Sequence, residues 1–169
     1  MSERIALVGS CSFPSPELVR EYVRALPAGV TVVSGGAKGV DTWAEEAAKA
    51  CDLETLIFHA DWEMLGRSAG PIRNEQIINH ADRVVAFWNG VSRGTLNSIL
   101  HACYAGIPIE TIDANGNQIG LSEALARAEK NGAFQSWAKG RERSGKDAPD
   151  TIDALLGRIS GGRGGSCDT

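Results

Sequence analysis

Residues 31–41, Thr-Val-Val-Ser-Gly-Gly-Ala-Lys-Gly-Val-Asp, constrain this chain more than any other stretch. Val32 and Val33 are β-branched and suit a strand. Gly35, Gly36 and Gly39 follow at once, where the backbone must turn sharply and leave room for a close neighbour. Val40, Trp43, Ala44, Ala47, Ala48 and Cys51 then recur at the spacing of a helix face packed on a sheet. A strand feeding a helix through such a turn gathers unpaired amides and the positive end of the helix dipole at one point. That combination suits an anion, and a phosphate in particular. The same junction can also serve chain reversal alone, and it is neither the dinucleotide fingerprint nor a Walker sequence.

The rest of the chain repeats the alternation. Residues 4–9 read as a first strand ending at Gly9-Ser10. Ser15 and Pro16 open a helix carried by Leu18, Val19, Tyr22, Val23 and Leu26. Strand patterns follow at 54–59, at the almost wholly apolar 83–88 and at 107–112. A polar and aromatic loop is expected over 60–71. A helix over 72–81 would turn Ile72, Ile77 and Ile78 inward, and another would carry Leu96, Ile99, Leu100 and Cys103. The fold class implied is α/β: a doubly wound parallel sheet of about five strands with flanking helices and right-handed crossovers. Residues 1–112 would form this domain. Residues 113–159, with a turn at Asn115-Gly116-Asn117 and short helices near 121–130, 133–139 and 151–159, would form a helical extension. Residues 160–169 read as a glycine-rich disordered tail.

Composition narrows the class of function. The chain has 169 residues, 43% hydrophobic and 22% charged, enough for a real core. A net charge of −4 argues against a nucleic-acid coat or a membrane surface binder, so nucleic acid is the unlikely partner on this reading. No apolar run reaches the length of a membrane span and no secretory leader is seen, so a cytoplasmic protein is expected. Cys11, Cys51, Cys103 and Cys167 lack metal-ligand spacing, and no metal is assigned. Cys51 and Cys103 read as small buried hydrophobes.

Ligands of such sheets lie beyond the carboxyl ends of the strands. Gly9-Ser10, the turn from Gly35 to Asp41, the loop carrying Asp61 and Trp62, and residues 89–95 all fall at that edge. Lys38, Arg67, Arg73 and Arg93 stand in or beside these loops, and four cations at one edge of an acidic protein suit an anionic ligand. In the second glycine turn, Gly90, Ser92, Arg93, Gly94 and Thr95 offer amides, a cation and hydroxyls, with Thr95 also able to cap the following helix. Asp41 can serve the helix dipole or a ribose hydroxyl. His59, Asp61 and Trp62 could meet a base, the indole giving a stacking face, although Trp62 fits better as a core residue packed under the loop.

Taken in order, the segments 33–41, 60–62, 69–74 (Ala-Gly-Pro-Ile-Arg-Asn) and 86–95 (Ala-Phe-Trp-Asn-Gly-Val-Ser-Arg-Gly-Thr) resemble the SLOG superfamily, and more narrowly its small YspA-like members. That superfamily joins Smf/DprA DNA-processing proteins and LOG phosphoribohydrolases in one Rossmann-like fold. The resemblance covers residues 4–112 and implies a nucleotide or nucleotide-derived ligand. Gly35, Gly36, Ala37, Lys38 and Gly39 and the second turn would hold its phosphate or ribose, and Asn74 would be a further ligand-binding residue. Arg73 matches the arginine that assists N-glycosidic cleavage in LOG enzymes. The glutamate those enzymes carry after the second turn is absent, because Leu96, Asn97 and Ser98 follow Gly94-Thr95. Cys11 stands where many relatives have a basic residue.

The leading expectation is therefore a module that senses or sequesters a nucleotide-derived small molecule, with no further cofactor. A LOG-like hydrolase is the alternative, needing Asp41, Glu45, Asp61 or Glu75 as substitute acid. Single-stranded DNA handling is a second alternative. Homodimerisation is expected by analogy and from Phe134 and Trp137 in the extension.

Overall fold

The computed structural model describes residues 1–161. Six strands form one sheet in the order β3-β2-β1-β4-β5-β6. They are β1 (Arg4–Gly9), β2 (Thr31–Ser34), β3 (Glu54–Ile57), β4 (Arg83–Phe87), β5 (Ile109–Ile112) and β6 (Gln118–Ile119). The first five are parallel, and β6 returns antiparallel to β5. The helices are α1 (Pro16–Arg24), α2 (Val40–Ala50), α3 (Trp62–Leu65), α4 (Ala69–Asn79), α5 (Arg93–Ala105), α6 (Leu121–Lys130), α7 (Ala133–Arg143) and α8 (Ile152–Gly161). This is the mixed α/β, Rossmann-like class expected from the alternation.

Strand side chains alternate between two cores, as the pleat requires. Ile5, Leu7, Val32, Val85 and Phe87 face α1 and α2. Ala6, Val8, Val33, Val84, Ala86 and Trp88 face the other way, toward α4 to α8. Both faces of β1 and β4 are thus covered, which explains their unbroken apolar runs. The chain leaves β1 toward β2 and β3, then returns to lay β4 on the other side of β1. The ends of β1 and β4 therefore flank the point where strand order reverses, and the backbone there is pinned by Ser10 N–H donating to the Phe87 carbonyl at 3.1 Å.

Five sequence expectations need correction. The 60–71 stretch is not a loop: Asp61 caps α3 by accepting from Met64 N–H at 3.0 Å, a 3-10 turn follows, and α4 begins at Ala69. Pro71 is tolerated because it sits in the first turn of α4, where its missing N–H breaks no helical bond. Ile72, expected inward, is 39% exposed because the earlier start of α4 sets which face meets the sheet. Cys51 lies exposed at the C-terminal cap of α2, and Cys103 is only partly buried. The sixth strand has two residues, too few for a period to register, and the Asn115-Gly116-Asn117 turn is what folds it back. Ser160 and Gly161, expected to open a disordered tail, instead end α8, and the rest of that tail lies outside the described residues.

Candidate functional site

A small cavity of about 100 Å³ opens at the carboxyl edge of the sheet. Gly9 at the end of β1 and Cys11 just after it line the cavity, with Ala37 of the first glycine turn and Asp41 at the start of α2, Arg73 and Asn74 of α4, and Ser92, Gly94 and Thr95 at the second turn and the start of α5. The two turns thus share one rim, and the β1 loop completes it.

The first turn is packed without slack. Gly39 has φ +87°, and a Cβ there would lie 2.7 Å from the Cys11 carbonyl oxygen. At Gly35, a Cβ would lie 2.5 Å from Arg73 Nη1, so the guanidinium rests directly on the backbone of the turn. Arg73 Nη1 donates to the Gly35 carbonyl at 2.6 Å, and its Nε donates to Asn74 Oδ1 at 3.1 Å. Asn74 in turn donates to the Gly94 carbonyl at 3.4 Å. Arg73 and Asn74 form a polar strap from the first turn to the second.

Three amides of the first turn are already engaged. Gly35 N–H and Ala37 N–H donate to Asp41 Oδ2 at 3.1 and 3.3 Å. Gly36 N–H donates to Glu45 Oε1 at 3.1 Å, and the Ser34 hydroxyl donates to the same oxygen at 2.7 Å. Two carboxylates of α2 therefore occupy the place the sequence suggested for a phosphate. Asp41 is 5% exposed, and its carboxyl is pushed up to about 6. Burial is the main cause and Glu45 adds to it, while Arg73 and the Ala37 and Gly35 amides pull the other way.

The second turn is held by neutral groups. Asn89 Oδ1 accepts from Val91 and Ser92 N–H, each at 3.0 Å. Ser92, not Thr95, caps α5, its hydroxyl accepting from Thr95 N–H at 3.4 Å. The Thr95 hydroxyl donates to Ser92 Oγ at 3.1 Å and lies 3.4 Å from the Ser10 hydroxyl. Arg93 and Gly94 are the first residues of α5, where backbone N–H groups have no partner within the helix.

Other expected residues scatter around this centre. Lys38, Arg67 and Arg93 are exposed, and Arg93 Nη1 donates to the Ser136 hydroxyl of α7 at 3.1 Å. Trp62 is 60% exposed, which corrects the expectation that it packs under the loop as core. His59 packs its ring on Gly36. Of the four carboxylates considered as substitute acids, Asp41 alone lines the cavity; Asp61 caps α3, Glu45 caps the first turn, and Glu75 is exposed on α4. Sequence reasoning missed Asn131, between α6 and α7. Its side-chain amide donates to the Gly90 carbonyl and its Oδ1 accepts from Ala133 N–H at 3.0 Å, so the extension clamps the second turn. Among the described residues, no cluster of His, Cys, Asp or Glu could hold a metal ion, and no helix is long and apolar enough to cross a membrane.

No family model matches the chain. Over 89 residues it is 37% identical to the Gene 61 protein of Mycobacterium phage D29, a match covering 49% of this chain and 71% of that protein. The chain belongs to the Gene 61 protein family. Among solved structures, this Gene 61 family member is similar to DNA processing protein A from Streptococcus pneumoniae, with a TM-score of 0.59 and 19% identity over 92% of this chain. It spans 61% of the length of that structure. It is also similar to DNA processing protein A from Helicobacter pylori, a structure described for its single-stranded DNA binding, with a TM-score of 0.53, 20% identity, and coverage of 78% of this chain and 73% of that one. At such identity the likeness is one of fold. It agrees with the superfamily resemblance at the level of the Smf/DprA fold.

These neighbours correct one expectation outright. Nucleic acid was set aside as a partner because the Gene 61 family chain is acidic overall, yet the fold carries single-stranded DNA binding in the Helicobacter pylori protein. Net charge sums the whole surface, whereas a strand meets only the residues along its path.

Proposed function

We propose that this chain binds single-stranded nucleic acid at the carboxyl edge of its sheet, seating one backbone phosphate in the cavity between the two glycine turns. The observation that carries this reading is the size and lining of the cavity. About 100 Å³ is well below the roughly 300–1,000 Å³ of pockets that enclose a small molecule. A tetrahedral oxyanion suits it; an enclosed nucleotide does not. The Ser92 and Thr95 hydroxyls, the first amides of α5 and the Arg73 guanidinium supply donors at its wall. Sugars and bases would then lie outside, where Trp62 presents an exposed ring for stacking and Lys38, Arg67 and Arg93 are exposed cations. The DNA processing protein neighbours support the same reading at the level of fold. The narrower YspA-like assignment belongs with this proposal and rests on the motifs alone.

A fluorescently labelled single-stranded oligonucleotide titrated by anisotropy tests the proposal. Binding should weaken steeply with salt, as counterion release demands. Arg73→Lys should cost about tenfold to a hundredfold in affinity, from the roughly 1.5–3 kcal/mol of a hydrogen bond to a charged group. Folded protein that leaves the anisotropy flat at low salt would overturn the reading.

A second reading is favoured by the same cavity: a free nucleoside monophosphate could place its phosphate there and its base on Trp62. The two separate on length. Affinity for a strand rises as nucleotides are added, whereas a mononucleotide site gains nothing beyond the first.

A further inference from the structure

We infer that this site accepts one isolated phosphoryl group and discriminates against pyrophosphate-linked ligands, because Asp41 and Glu45 already fill the second anion position at the rim. The inference deepens the proposal above and rests on it. Two glycine turns at one edge offer, in principle, two phosphate cradles. Only one is open. Gly35, Gly36 and Ala37 donate their amides to the two carboxylates of α2. Asp41 also lines the cavity, where the Arg73 guanidinium offsets part of its charge.

A phosphate entering between Arg73, Ser92 and Thr95 brings one or two negative charges. A second phosphate bonded directly to it would fall within the roughly 4–6 Å over which like charges disfavour each other strongly. Its natural place would be the first turn, where the Gly35, Gly36 and Ala37 amides are not available without displacing a carboxylate. In a phosphodiester strand the neighbouring phosphates stand a full sugar away, so the penalty does not arise. The first turn thus works as an internal anion that sets the number of phosphates the rim admits.

The experiment is isothermal titration of the full chain at pH 7.5, without divalent cations, against AMP and ADP, with the labelled oligonucleotide titrated in parallel. AMP should bind at least about tenfold more tightly than ADP, the factor that roughly 1.4 kcal/mol of repulsion gives. In the Asp41→Asn/Glu45→Gln double variant, which retains an acceptor oxygen at both positions, the ratio should fall to about threefold or less. Circular dichroism confirms that the variant is folded; Glu45→Gln alone serves if it is not, and should narrow the ratio in the same direction. Equal affinity for AMP and ADP, no binding of AMP at any concentration, or an unchanged ratio in a folded variant overturns the inference. An inert oligonucleotide with the AMP preference intact removes strand binding and leaves the one-phosphate site standing. A bound oligonucleotide with no AMP preference does the reverse.

Discussion

The two glycine turns look alike in sequence and solve opposite problems. The first, between β2 and α2, is closed on itself: three of its amides are answered by carboxylates from the helix that follows, and Gly39 has no room for a side chain. The second, between β4 and α5, is held by Asn89, Ser92 and Asn131, all uncharged, and a Cβ at Gly94 would meet nothing within 4 Å. A glycine-rich turn at a helix start is therefore not an anion site by composition. What matters is whether the chain spends its own acidic groups on the amides. The first turn is a support with three amides answered from within the chain, and the second is the open wall of the cavity.

The sharpest way to break this comparison is Gly39→Ala. The added Cβ would meet Cys11 backbone atoms that cannot swing aside, in a conformation that only glycine adopts without strain. Strain and overpacking together should cost roughly 3 kcal/mol or more, read as a shift of the urea midpoint. A loss below about 1 kcal/mol would mean that the turn is not packed as described.

Asp41→Asn tests the electrostatic half of the contrast. The folded-state value of about 6 lies above the ordinary 3.8, so the native state binds the extra proton between those limits. Stability should therefore fall as pH rises from about 4 to 6, by on the order of 3 kcal/mol if no other group intervened. The asparagine keeps an acceptor for Gly35 and Ala37 and cannot ionise. The variant should thus gain on the native chain through that window and hold a constant difference above it. Urea midpoints at several pH values measure this, and a difference independent of pH would show that burial does not strain the Asp41 carboxyl.

Asn131→Ala addresses the second turn's dependence on distant chain. It removes a bond to the Gly90 carbonyl and the acceptor for Ala133 N–H at the start of α7. About 1 kcal/mol of stability should be lost, with proton exchange accelerating in residues 89–95 before the sheet is affected. Uniform change across the molecule would argue that the extension does not clamp this turn.

How much of this was legible beforehand follows from the range of each signal. The glycines at 35, 36 and 39 and the apolar stripe beginning at Val40 are local, and they located β2, the turn and α2 without reference to anything else. Asp41 and Glu45 were visible too, one helical turn apart on the same face of α2. Their role was not, because reaching back to Gly35 and Gly36 depends on how tightly the turn closes. Arg73 was singled out by motif, but its contact with Gly35 joins residues 38 positions apart and needs the sheet. Asn131 left no signal at all: an Asn-Gly pair between two helices reads as a turn, and nothing local shows that it touches Gly90. Four-residue α3 and two-residue β6 are too short for periodicity to register.

Gly94→Ala has the smallest expected effect on stability and bears most directly on the contrast. Gly94 is the second residue of α5, its φ is not in the left-handed region, and a Cβ there meets open space. Alanine should therefore stabilise the fold, by up to roughly 0.5–1 kcal/mol, through better helix propensity and fewer unfolded conformations. Since Gly94 also lines the cavity, the same methyl group would stand where a phosphate oxygen approaches the α5 amides, and oligonucleotide affinity should fall while the melting temperature rises. That opposition is informative because a structural glycine cannot produce it: at Gly39, stability and any binding should be lost together. If Gly94→Ala were to destabilise the fold as Gly39→Ala does, the second turn would be another packed support rather than a wall left open for a ligand.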